Sequence, residues 1–199
     1  MPQDIWEKGW NKEKGWFDFT IDEWQNLPWE KQSECAALYQ RWYAKYSNLP
    51  LEKTVKTHGA TFDMVLIPPG KFWMGSPENE PDRETYNKNT TERRHRVTIT
   101  KAFWIQKTEC TQKQWKSLTG ESPWSGDAQV GENVDYPATH VDLDDVRLKL
   151  LPRLKDVYGM PLSLPSEAQW EYACRGGTTS RFYWGNAVSE MGKYANVCD

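Results

Sequence analysis

Twelve tryptophans and nine tyrosines stand in a 199-residue chain whose hydrophobic fraction is only 38% and whose mean hydropathy is -0.85. Rings of this size bury a large area each, but their N–H and O–H edges need hydrogen-bond partners once inside. Such a chain cannot rely on long aliphatic stripes. It predicts an irregular, aromatic core held by separate anchors, with many loops, in a length that accommodates one domain and an appendage.

Charge excludes several partners. With 25 basic and 28 acidic residues the formal net charge is -3, which leaves no overall electrostatic footprint for nucleic acid. No apolar run approaches the length of a membrane span. The N-terminus, Met1-Pro-Gln-Asp-Ile-Trp-Glu-Lys8, has no apolar signal region and no small-residue cleavage site, so a cytoplasmic location is expected. The cysteines fall at Cys35, Cys110, Cys174 and Cys198, without the paired spacing of zinc or dithiol sites. Buried reduced thiols are the simplest reading; a disulfide framework is the alternative.

Punctuation along the chain places the elements. Thr20-Ile-Asp-Glu23 reads as a capping box, Pro28 suits the first turn of a second helix, and Cys35, Leu38, Tyr39, Trp42 and Tyr46 recur at helical spacing. Residues 1–54 are thus expected to form a tryptophan-rich helical extension, its stripe packed intramolecularly or on a partner. Trp6, Trp10 and Trp16 follow no clear period and predict an arm that orders on contact. From Phe62 short strands alternate with turns: 64–67 and 71–74 flank the Pro68-Pro-Gly70 turn, a polar loop covers 76–96 with a glycosylation sequon at 89–91, and one strand is expected over 97–104. Three more helices announce themselves by their caps. Thr111-Gln-Lys-Gln114 opens one that stops at Gly120, Asp142 opens one that Pro152 must kink or interrupt, and Ser166-Glu-Ala-Gln169 opens one that ends at Gly176-Gly177, with Trp170 expected as its core anchor. The fold class is α+β, with irregular connections outweighing regular elements.

Several blocks then carry a resemblance: Met64-Val-Leu-Ile-Pro-Pro-Gly-Lys-Phe-Trp-Met-Gly-Ser76, His95-Arg-Val-Thr-Ile-Thr100, Phe103-Trp-Ile-Gln-Lys-Thr-Glu109, Tyr136-Pro-Ala-Thr-His-Val-Asp142, Pro161-Leu-Ser-Leu-Pro-Ser-Glu-Ala-Gln-Trp-Glu-Tyr-Ala-Cys-Arg-Gly-Gly177 and Phe182-Tyr-Trp-Gly-Asn186. In this order they resemble the formylglycine-generating enzyme, or sulfatase-modifying factor, family. The resemblance implies an irregular C-type-lectin-like fold over residues 55–199, there as the N-terminal part of the domain and so truncated. It also implies an activity, oxidation of a substrate cysteine to formylglycine, and relatives that are non-catalytic binding modules.

Family chemistry uses two cysteines that bind copper(I), a soft ion suited to thiolates. They belong to an Arg-Gly-Gly-Ser-Trp block after a Gly-Asn-Val-Trp-Glu-Trp block, and neither block stands in these 199 residues. No catalytic residue is therefore assigned, and copper is expected only with a supplied C-terminal half. Cys174 is expected to be a free buried thiol, Cys198 an exposed one, and an improvised Cys110–Cys174 pair is the less favoured alternative. Calcium is the better metal: Tyr194-Ala-Asn-Val197 is similar to a calcium loop of the family, which implies the Asn196 side chain and the Val197 carbonyl as half of a site needing about six to eight oxygens. His58, His95 and His140 form no cluster. Asp142, Asp144 and Asp145 suit helix capping and the helix dipole, and Glu167, Trp170 and Glu171 suit scaffold roles.

Two functions follow as expectations. One is a non-catalytic protein-interaction module whose uncovered sheet edges and apolar faces engage a protein partner or a second copy. The other is a fragment or subunit of a copper-dependent formylglycine-generating oxidase, to which this chain contributes the calcium loop, Trp184 and supporting walls. A lectin-like ligand site is weaker, since the fold alone does not argue for a sugar.

Overall fold

The structure is a computed structural model that describes residues 1–57, 59–81, 83, 92–160 and 162–196. His58, the sequon at 89–91, Val197, Cys198 and Asp199 lie outside the described residues. The chain divides into two compact units: Met1–Leu51, Leu66–Phe103 and Pro165–Asp199 make the first, and Glu52–Val65 with Trp104–Leu164 make the second.

The first unit is organised around buried rings. Its sheet has the order β1 (Trp10–Asn11), β2 (Trp16–Asp18), β5 (Gly70–Met74), β6 (His95–Ile99). β1 and β2 are antiparallel, β2 and β5 parallel, and β5 and β6 antiparallel from Gly70↔Ile99 to Met74↔His95. Helix α1 (Gln3–Gly9) precedes β1, and α2 (Asp22–Gln25) leads to the long α3 (Trp29–Tyr46), which begins with Pro28 as its N-cap. Proline lacks an amide hydrogen and has φ fixed near helical values, so it costs little at a helix entrance. Of the predicted stripe, Cys35 and Tyr39 are buried, while Leu38 is 39% and Tyr46 56% exposed.

Trp6, Trp10 and Trp42 revise the expected arm. Trp6 stacks on Trp10 at 5.6 Å, and both meet Trp42 of α3 edge-on, at 4.5 and 4.8 Å. The N-terminal tryptophans are thus ordered by their own chain, in edge-to-face geometry that suits ring quadrupoles. Thr20 also departs from expectation. Its hydroxyl and amide both go to the Asp18 carboxylate, at 2.6 and 2.8 Å, and α2 starts from Ile21 with no side-chain cap. Burial by itself would raise the Asp18 carboxyl, but hydrogen bonds from Thr20 and from Lys71 at 2.9 Å hold it below its ordinary value.

The second unit has a sheet ordered β3 (Glu52–Lys56), β4 (Thr61–Ile67), β7 (Phe103–Gln106). β3 and β4 pair antiparallel from Glu52↔Val65 to Lys56↔Thr61. Phe62, Met64 and Leu66 are buried while Thr61 and Asp63 are exposed, the two-residue alternation of a half-covered strand. β4 and β5 belong to different sheets, so the Pro68-Pro-Gly70 turn is no hairpin. The strand expected over 97–104 is likewise two strands, β6 and β7, one in each sheet.

Helix α4 (Gln112–Thr119) has the predicted capping box and ends at Gly120 with φ 81°, a left-handed position that favours glycine. Asp142 and Asp145 form a reciprocal cap on α5 (Leu143–Asp145). Next come a π-helical turn, Val146–Leu150, and α6 (Leu151–Asp156), with Pro152 in its first turn. The widened turn accommodates the proline ring and its missing amide. Trp115, Leu118 and Leu154 form the most deeply buried part of this unit. Among the described residues no helix is long and apolar enough to cross a membrane.

Candidate functional site

The last stretch of the first unit carries the residues singled out from sequence. Ser166 caps α7 (Glu167–Arg175) reciprocally with Gln169, and Gly176 ends it with φ 54°. Gly177 follows with φ 87°, and a Cβ there would stand 2.5 Å from that of Ala36, so both the conformation and the space call for glycine. Its carbonyl accepts from Trp24 Nε1 at 2.9 Å. Gln32, buried in α3, donates to Thr179 Oγ1 and accepts from the Thr179 amide, each at 2.9 Å. These bonds fasten residues distant in sequence to the same aromatic core.

On α7, Glu171 and Arg175 are four residues apart and act together. Glu171 Oε1 accepts from the Gly75 amide and from Arg175 Nε, both at 2.8 Å, while Arg175 Nη2 donates to the Gly75 carbonyl at 3.1 Å. An acid and a base so engaged hold a backbone turn. They are scaffold, as expected of Glu171.

Trp170 corrects the sequence reading, because it is 58% exposed. The inward residues of α7 are Tyr172, buried, and Ala168, packed against the aromatic core. Trp170 lies two positions from either, about 200° around the helix. Cys174, expected to be buried, is exposed as well.

Beyond α7, a tight turn closes where the amides of Phe182 and Gly185 each donate to the other's carbonyl, at 3.0 and 3.1 Å. Trp184, buried, is stacked between Phe182 at 4.6 Å and Tyr194 at 5.2 Å, with interplanar angles of 5° and 7°. Tyr183 packs edge-on to Trp184 at 4.8 Å, and its hydroxyl donates to the Tyr194 carbonyl at 3.0 Å. Tyr194 closes α8 (Met191–Tyr194). Tyr183 and Tyr194, each 43% exposed, and Val188, 52% exposed, leave apolar surface on this stretch.

Asn196 is exposed, two residues past α8, and Val197 lies outside the described residues. One amide oxygen is far from the oxygen shell of calcium, and among the described residues no group of three or more His, Cys, Asp or Glu is placed to hold a metal. Cys35, Cys110 and Cys174 are all free. Burial raises the Cys35 and Cys110 thiols above their ordinary value, Cys110 to about 11, which disfavours the thiolate needed for metal ligation or attack. His95 Nδ1 lies 2.8 Å from the Arg93 carbonyl and His140 Nε2 3.2 Å from Asp127 Oδ2.

Residues 50–199 match the Sulfatase-modifying factor enzyme 1-like domain. The chain belongs to this family. Within the sulfatase-modifying-factor family, the formylglycine-generating enzyme of Bos taurus is 33% identical over 98 residues, which is 47% of this chain and 24% of that protein. The Mus musculus enzyme is 32% identical over 84 residues, 41% of this chain and 21% of the relative. The matched stretch thus spans under a quarter of each curated relative. Two solved structures share the fold. Treponema denticola variable protein 1 aligns with TM-score 0.56 and 22% identity over 73% of this chain and 64% of its own. PvdO from Pseudomonas aeruginosa aligns with TM-score 0.53 and 27% identity over 65% and 53%. The mixed sheets and helices are consistent with the C-type-lectin-like fold implied by the sequence.

Proposed function

We propose that this chain is a protein-interaction module built on a sulfatase-modifying-factor-type domain, without oxidase activity of its own. The observation that carries the reading is the exposure of large aromatic rings in the first unit's last stretch, Trp170 on α7 and the Tyr183–Tyr194 pair beyond it, on a backbone braced by Glu171, Arg175 and Gln32. Rigid aromatic rings give much contact area for little ordering cost, and they are enriched in protein interfaces. Two of the thiols point the same way, since burial holds Cys35 and Cys110 toward the unreactive neutral form. The partner is another protein or a second copy of the chain. Calcium enters this reading through Asn196 and the Val197 carbonyl, joined by oxygens from beyond the described residues.

The names of the curated relatives support a second reading, a portion of a formylglycine-generating oxidase. Trp184 and its stack would then be a wall of the active site, and copper with both catalytic thiols would come from another polypeptide. One experiment separates the readings. The chain is given copper(I), oxygen and a cysteine-containing peptide, alone and with a C-terminal half of a family enzyme. An interaction module yields no formylglycine in either mixture, and formylglycine in the second establishes the divided oxidase.

A further inference from the structure

The basic run at 93–96 plays no part in the site above. Among the described residues β6 is the terminal strand of its sheet, and it begins where Arg93, Arg94, His95 and Arg96 follow one another in a chain of net charge -3. Trp73 on β5 sits opposite Arg96 in the strand register. Its ring is covered by two guanidinium groups, Arg94 at 4.7 Å and Arg96 at 4.8 Å. Cation–π contacts of this kind hold the two side chains against the sheet.

The cations are not equally engaged. Arg94 donates to Gln25 Oε1 at 3.1 Å, and burial together with Arg175 lowers its affinity for the proton, partly offset by Glu80. Arg93, His95 and Arg96 are exposed, and among the described residues neither Arg93 nor Arg96 takes part in an ion pair. Glu92 is the nearby acid, and its carboxylate accepts from Ser76 Oγ at 2.6 Å. The terminal strand therefore joins unsatisfied positive charge to backbone groups able to accept another strand.

We propose that the β6 edge docks an extended acidic peptide segment of a partner protein by strand addition, with Arg93 and Arg96 pairing its carboxylates. This deepens the interaction reading by naming an edge and a partner chemistry. Strand addition supplies affinity through main-chain hydrogen bonds, while complementary charge sets the choice of partner. Nucleic acid is disfavoured as occupant, because the cations lie along one short strand of an otherwise acidic protein.

The test uses the full chain and a fluorescein-labelled octapeptide of alternating Glu and Val, read by fluorescence anisotropy. Binding is expected to weaken with salt, to fall about tenfold or more in the Arg93→Glu/Arg96→Glu variant, and to be lost when alternate residues of the peptide are Pro. The milder Arg96→Gln variant, checked for folding by circular dichroism, should lose part of the affinity. Absence of binding, binding indifferent to charge reversal, equal binding of the proline peptide, or binding of a single-stranded oligonucleotide alone would each overturn the proposal. The interaction reading fails separately, because it rests on Trp170, Tyr183 and Tyr194 rather than on β6.

Discussion

In the first unit the buried Trp24 donates its indole N–H to the Gly177 carbonyl at 2.9 Å, whereas in the second unit the equally buried Trp115 has no hydrogen-bond partner for its indole nitrogen. The contrast extends to neighbouring rings. Tyr39 donates to the Pro69 carbonyl at 2.7 Å, while Trp104 also leaves its indole nitrogen unpartnered beneath Lys53, which lies 3.6 Å from the ring centroid. One core is tied through polar edges to segments far away in sequence; the other relies on packing against Leu118, Leu150 and Leu154. The same residue type is an anchor with direction in the first and a space-filler in the second.

The comparison can be broken most severely at Trp24. Trp24→Ala should cost about 3 to 5 kcal/mol, measured by urea denaturation, through lost burial and the cavity left behind. A finer cycle replaces each indole by phenyl. Trp24→Phe strands the Gly177 carbonyl, and Trp115→Phe breaks no hydrogen bond, so the first should exceed the second by about 1 kcal/mol beyond any difference in packing. Equal losses would mean that the indole hydrogen bond contributes nothing.

Alkaline pH tests the first core by another route. Burial raises the Tyr39 and Tyr172 hydroxyls above their ordinary value of 10.0. The folded state then holds its protons more tightly than the unfolded chain, so stability is fully present below pH 10 and falls as pH climbs beyond it. Tyr39→Phe should flatten that fall in a melting-temperature series. The smallest effect belongs to Trp170→Ala. An exposed ring should change stability by no more than about 0.5 kcal/mol, and a loss as large as that of Trp24→Ala would restore Trp170 to the core.

Capping boxes were legible wherever nothing competed for their side chains. Thr111, Asp142 and Ser166 each cap as their spacing predicts. Thr20 does not, because Asp18 lies two residues away and takes both its amide and its hydroxyl. Pro152 predicts an interruption, but the widened turn that absorbs it depends on local relaxation that a proline position does not specify. The split between β6 and β7 was hidden because both halves are rich in β-forming residues, and sheet membership is a tertiary property. At the candidate site, the exposure of Trp170 was available in principle from its phase against Ala168 and Tyr172. The stack of Phe182, Trp184 and Tyr194 was out of reach, since it depends on a turn and a short helix meeting in space.

The central claim is that the exposed aromatic rings Trp170, Tyr183 and Tyr194 bind protein and that the chain does no oxidation by itself. Native mass spectrometry of the chain purified from its own host, as wild type and as Trp170→Ala/Tyr183→Ala, addresses it most directly. The account predicts a stoichiometric complex with another protein or a second copy, dissociated by the double substitution while the chain stays folded. Co-isolation with a copper-bearing polypeptide that converts a peptide cysteine to formylglycine, unaffected by those substitutions, would contradict it.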